Sequence, residues 1–382
     1  MPRPRGRKRG GARDILALIH VNRVLHSWQA VGTLIKPIQY LRGLAALLVV
    51  WAHALGQIPG NMALIRVPDF GLSGVDLFFV ISGFIMFVTT VQRPLTPREF
   101  ILLRIARVVP LYWLMTLLMI GCALLVPGAF RTLRLSLTAV LKSLFFVPYD
   151  SLSFPGQAWP VLVPGWTLNY EMFFYALFAL ALIIPLRWRL MSLVLTLVCL
   201  VITGRNIGAS QSPIVWVYTN PLLLEFAAGA VIGYLWARES PRIPLVASAV
   251  AIGAGSCLLV MRNEPPLMGY SQMLGALLVV AGCLHPAIAM LRSRLLLALG
   301  NASYSIYLTH IFILGALRMV WMHLVPQASS ASAVTFMIIA LVACAAGGVA
   351  GHEWLEAPLT AMVRRALTPR GAVPISSVAA PG

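Results

Sequence analysis

Apolar stretches of about twenty residues recur along this chain, and in lipid a span of that length has to be a helix, which pairs its own backbone polar groups internally. They fall near residues 40–58, 71–91, 108–127, 165–186, 190–205, 220–237, 243–261, 270–291, 302–322 and 333–351. The pattern predicts an all-α polytopic membrane bundle of about ten transmembrane helices. Composition agrees: 59% of residues are hydrophobic and 10% charged, against about 25% charged in a soluble protein.

The formal charge of +18 is a matter of topology. Lysines and arginines gather at alternate ends of the spans: up to Arg42, then Arg93 to Arg107, Arg187 and Arg189, Arg238 and Arg242, Arg292 and Arg294, and Arg364, Arg365 and Arg370. This asymmetry predicts both termini in the cytoplasm. No soluble segment is left to present a groove-reading element, so nucleic acid is not an expected partner.

Residues 1–35 read as a basic cytoplasmic arm with a short amphipathic piece from Ile15 to Trp28, suited to anionic lipid. It lacks the apolar core and cleavage site of a secretory signal. Whether it belongs to the native start is left open. Residues 361–382 read as a cytoplasmic tail. The long loop 128–163, rich in proline and aromatics, is expected outside. Its apolar part, Leu133 to Val147, is expected to be interfacial or re-entrant, because a span there would invert every later loop against the charge asymmetry. All five cysteines fall in expected spans with no pairing pattern, so neither disulfides nor a metal site is expected.

Polar groups inside the spans point to function. Arg42 and His53 lie eleven residues apart, almost three helical turns, on one face and about 16 Å apart along the axis. Ionisable groups in a span are costly unless they face a polar interior, and so mark a functional pathway. His53, Asp76, Glu171 and Glu225 are expected at a similar depth near the outer surface. An imidazole beside a carboxylate suits general-base catalysis. The competing reading is that the carboxylates pair with arginines or cap helix starts. Arg104 and Arg107, at i and i+3, present two guanidinium forks on one face; this suits a phosphate-bearing ligand, although topology alone also places arginines there. Ser303, Tyr307 and His310 share a helical stripe, where His310 either serves function or is satisfied by a helix partner. Gly229 and Gly233 suggest close helix packing.

The segments LRGLAALLVVWAHA (Leu41 to Ala54), GLSGVDLFFVISGF (Gly71 to Phe84), LLRIARVVPLYW (Leu102 to Trp113), GWTLNYEMFFY (Gly165 to Tyr175), GNASYSIYLTH (Gly300 to His310) and WLEAPL (Trp354 to Leu359) run in order. Together they resemble the signatures of the acyltransferase-3 family, over residues 36–360, and within it the exopolysaccharide acetyltransferases. The resemblance implies a multi-pass enzyme of the bacterial inner membrane. It would move an acetyl group from cytoplasmic acetyl-CoA to a hydroxyl of an extracytoplasmic or lipid-linked saccharide, without a metal.

By the same resemblance His53, Glu171, Arg42 and His310 are the catalytic candidates, with Glu171 tuning His53 and His310 lining the channel or stabilising an oxyanion. Arg104 and Arg107, with Arg42 below them, are expected to hold the CoA phosphates while the pantetheine arm threads towards His53. Trp159 and Trp166 are expected to stack on sugar rings, with Asp76 as a further acceptor contact. Some relatives carry a periplasmic hydrolase-like domain; the sequence ending at Gly382 shows none, so transfer is expected to be direct or to use a separate partner. Direct transfer and a covalent acyl-histidine both remain open, as do the acyl group, the acceptor and the oligomeric state. A transporter or flippase for a lipid-linked saccharide or anion would use similar buried charges, and a noncatalytic scaffold is a third reading.

Overall fold

Helix α1 spans Lys36–Leu55 and carries Arg42 near one end and His53 near the other. We describe the protein from a computed structural model, over residues 36–58, 70–129, 132–207, 212–239, 243–261, 270–325 and 329–367. The expected N-terminal arm and the end of the tail lie outside these residues. The described residues form helices and no strand. Each of the expected apolar windows holds a helix, and among the described residues seven helices are long and apolar enough to cross a membrane.

After α1 come α2 (Ser73–Gln92) and α3 (Pro97–Leu125). The latter starts well before its apolar window, because Thr96 and Glu99 form a reciprocal capping box and Pro97 takes the first turn. Arg104 and Arg107 therefore lie inside the helix. Pro110, also within α3, removes the donor that would meet the Ala106 carbonyl. The short α4 (Leu137–Leu144) occupies the apolar part of the long loop, and eight residues cannot span a bilayer. It is tied to α3 by the Tyr112 hydroxyl, which donates to the Ser143 carbonyl, and by the Trp113 indole, which donates to the Leu144 carbonyl.

Helices α5 (Trp166–Ala181), α6 (Leu186–Asn206), α7 (Pro213–Tyr218) and α8 (Leu223–Glu239) follow. Then come the shorter α9 (Leu245–Val260) and α10 (Tyr270–Cys283), and the brief α11 (Pro286–Ala289) and α12 (Arg294–Asn301). Helix α13 (Ser303–Leu324) is followed by α14 (Ser330–Gly351), which passes through a π-helical turn, His352–Glu356, into α15 (Ala357–Leu367).

The tightest pair is α2 with α8. A Cβ on Gly83 would sit 2.0 Å from the Phe226 carbonyl oxygen, and one on Gly229 would sit 1.9 Å from that of Val80. The glycine spacing thus serves backbone-to-backbone approach, as expected. Lipid association gains from such close packing because no hydrophobic force separates helix from tail. The cysteines are free; Cys283 and Cys344 are buried, while Cys199 and Cys257 are exposed. Leucines such as Leu117, Leu124, Leu125 and Leu195 are also exposed, as expected of a lipid-facing wall.

Candidate functional site

Helices α1, α2, α3, α5, α13 and α15 enclose a cavity of about 370 Å³. It reaches the surface at the exposed Gln92 and carries Arg42, Arg104, Arg107 and Arg364 on its walls, with Glu171 as a lining carboxylate. Arg42 donates to the Gln39 amide oxygen at 2.9 Å, and Gln39 bonds in turn to Asn301 at 3.2 Å. Arg104 is held over two rings: its guanidinium carbon is 5.4 Å from the centroid of Phe100 and 5.8 Å from that of Tyr175. Its Nε is buried without a hydrogen-bond partner. Neither Arg104 nor Arg107 forms a salt bridge among the described residues. Guanidinium forks without a direct salt bridge in a partly enclosed cavity suit the oxygens of a multiply charged anion.

Glu171 lies one turn above Tyr175 on α5. The Tyr175 hydroxyl donates to Glu171 Oε1, and Ser82 Oγ on α2 approaches the same oxygen at 3.4 Å. The expected contact between Glu171 and His53 is not what the structure shows: this carboxylate turns into the arginine-lined cavity, within electrostatic reach of Arg42 and Arg104. The physical reason is charge. Two buried guanidiniums attract the carboxylate more strongly than one imidazole does.

His53 is partnered by His310 instead. The two rings lie 4.8 Å apart, centroid to centroid, at an interplanar angle of 67°. His53 Nδ1 is 2.9 Å from the Val49 carbonyl, and His310 Nδ1 is 2.7 Å from the Tyr307 carbonyl. A carbonyl only accepts, so each Nδ1 carries the hydrogen and each Nε2 keeps its lone pair. His310 is fully buried and its Nε2 has no hydrogen-bond partner among the described residues, whereas His53 is partly exposed.

Tyr307 touches both the cavity and the histidine pair. Tyr307 lines the cavity, and its ring centroid is 6.1 Å from that of His310. Its hydroxyl donates to the Pro164 carbonyl at 2.8 Å and lies 2.8 Å from Thr167 Oγ1. The expected continuous passage from Arg42 to His53 is not seen: the cavity is lined by Arg42 and Tyr307 but by neither histidine. The stripe of Ser303, Tyr307 and His310 is buried as a set, and its first two members face the cavity.

The residues expected to meet a sugar lie elsewhere. Trp159 packs against Phe154 within the long loop, at 5.1 Å between centroids, and Trp166 opens α5 beside Tyr170 at 5.8 Å. Asp76 is 1% exposed in the first turn of α2 and does not line the cavity. A carboxylate there complements the positive end of the helix dipole. Glu225 is 1% exposed in the first turn of α8. Both stand at helix starts, one of the two placements that the competing reading offered.

Sequence reasoning missed Tyr175, Tyr304, Glu356 and Arg364. Tyr304 donates to the Val108 carbonyl at 2.7 Å, just before Pro110. Glu356 accepts from Ser305 Oγ at 2.7 Å and meets His352 Nδ1 at 3.0 Å. The available signals were Tyr175 at i+4 from Glu171 and the acidic residue inside WLEAPL; nothing in the sequence marks Arg364 from Arg365.

A family model described as an acyltransferase domain matches residues 35–350. The chain is 42% identical over 294 residues to the exopolysaccharide production protein ExoZ of Rhizobium meliloti, covering 76% of this chain and 89% of that protein. It is 30% identical over 307 residues, 72% of each chain, to BcsY of Komagataeibacter xylinus, named as an inferred membrane-bound transacylase. Nodulation protein 10 of Rhizobium leguminosarum bv. viciae is 26% identical over 314 residues, 72% of this chain and 82% of its own. No solved structure matches the chain.

Proposed function

The chain belongs to the acyltransferase family, and from that premise we propose that it transfers an acetyl group from acetyl-CoA to a hydroxyl of an exopolysaccharide or its lipid-linked precursor, in a bacterial cytoplasmic membrane. The observation that carries this reading is the juxtaposition of an arginine-lined cavity with a pair of histidines across Tyr307. The similarity to an exopolysaccharide production protein supports the acceptor class. The charge asymmetry of the sequence supports donor entry from the cytoplasm.

Arg42, Arg104 and Arg107 hold the donor phosphates, and the pantetheine arm lies along the apolar wall formed by Phe78 and Phe79. The thioester reaches the histidines when the Tyr307 side chain yields. His53 Nε2 then takes the proton of the acceptor hydroxyl. The oxygen forms its bond to the acyl carbonyl carbon, the C–S bond breaks, and the CoA thiolate recovers the proton from the imidazolium. His310 Nε2 faces this event with a lone pair, so it shares the proton with His53 rather than donating to an oxyanion from its neutral form. Glu171 and Tyr175 fix the arginine cluster, offsetting its mutual repulsion.

The test is to mix the purified protein in lipid nanodiscs with acetyl-CoA and acceptor polysaccharide. Release of free CoA thiol with matching O-acetylation of the saccharide is the expected result. Movement of saccharide across the bilayer with no consumption of acetyl-CoA would overturn the proposal.

A further inference from the structure

The cavity gathers four arginines from three helices, α1, α3 and α15. Arg42 lies within electrostatic reach of Arg107, Arg104 within reach of Arg107 and Arg364, and Arg364 within reach of Arg107. Glu171 is on the wall and Glu356 behind it. Like charges brought together repel, and an anionic ligand adds to the compensation that these two carboxylates give. A diphosphate diester supplies about two negative charges; a terminal phosphate monoester adds about −1.5 to −2 at neutral pH.

The fourth arginine also has a defined place. The π-helical turn His352–Glu356 inserts one residue, which rotates all that follows by about 100° relative to a continued α-helix. Helix α15 thereby packs along α3, and Arg364 joins the cavity wall while its neighbour Arg365 does not. Arg364 is an exposed residue, like Gln92 at the rim, whereas Arg104 has its Nε buried beside Tyr175. A donor that enters thioester first leaves its adenosine end at that rim.

We propose that Arg364 binds the 3′-phosphate of the CoA donor, and so makes the enzyme discriminate CoA from donors that lack this group. The assignment rests on the proposed use of a CoA donor. It makes the α14–α15 turn a specificity element, placing the charge that selects the donor on a helix remote in sequence from the arginines of α1 and α3.

The test is equilibrium binding of CoA and of 3′-dephospho-CoA to the full chain in nanodiscs. Wild type is expected to prefer CoA by about tenfold, the size of a charge-assisted hydrogen-bond pair. Arg364→Ala should abolish the preference by weakening CoA alone, so that its dephospho-CoA affinity doubles as a measure of intact folding. Arg365→Ala, which removes the same charge one residue away, should keep the preference. Equal binding of both compounds by wild type overturns the assignment, as does equal weakening of both, or of neither, in Arg364→Ala. Binding of neither compound by wild type overturns the CoA donor reading itself, and this assignment with it.

Discussion

The imidazoles of His53 and His310, brought together from α1 and α13, stand edge-on at 4.8 Å, each locked by a carbonyl of its own helix into the form with a bare Nε2. One proton between two such rings has two acceptors, and only His53 is open to an incoming hydroxyl. His53→Ala should lower acyl transfer by about 10²–10⁴-fold, the usual loss with a general base. CoA affinity should be unchanged. His310→Ala should cost less, because the base remains and only its proton-sharing neighbour is gone. Initial rates of thiol release, beside CoA titrations, check both; a His53 variant with normal turnover refutes the assignment.

Tyr175 serves two neighbours, giving its hydroxyl to Glu171 and its ring face to Arg104. Tyr175→Phe keeps the ring and loses the hydroxyl, so it should slow transfer by about tenfold, as for one lost hydrogen bond to a charged group, with little change in donor KM. Tyr175→Leu should raise the donor KM as well, since the guanidinium loses its stacking surface. Steady-state kinetics of the two variants separate the roles.

Arg104→Ala should weaken CoA binding by about tenfold or more, given the strength of charge-assisted forks, without altering binding of the saccharide. Arg104→Lys should not restore it, because an ammonium neither fills the slot between Phe100 and Tyr175 nor bonds in parallel. Calorimetric titration with CoA is the measurement, and full recovery by lysine would contradict the stacked geometry.

Gly229→Val drives a side chain into the Val80 carbonyl of α2. Overpacking costs about 1–3 kcal/mol or more, and here the clash is backbone, which cannot rotate away. The variant should melt well below wild type in detergent. Gly253→Ala, at a position with nothing within 4 Å of an added Cβ, should not.

The fold was legible because lipid imposes one rule on every span. Twenty-residue apolar windows marked the helices, and Thr96-Pro97-Arg98-Glu99 already contained the cap that starts α3 early. Arg42, Arg104 and Arg107 were readable as one polar set, since charge has few places to go in a membrane, whereas Glu171 was expected beside His53. The partner of His53 was not readable. Spacing within a helix reports which residues share a face, but the pairing of α1 with α13 is a tertiary fact. Arg364 was hidden for a related reason: the π turn that rotates α15 has no signature in composition or periodicity. Asp76 and Trp159 lie away from the arginine-lined cavity, a placement that residue type alone does not report.

Tyr307, with its hydroxyl bonded to Pro164 and Thr167, has a bearing on the cell's energy supply. A water-filled hole deep enough to admit a nucleotide donor would, if it ran through, let protons fall down a membrane potential in which each charge gains about 2.3 kcal/mol per 100 mV. On the proposed donor path, the phenol and its two partners would act as insulation, leaving only the thin tip of the donor, and no stream of ions, to cross.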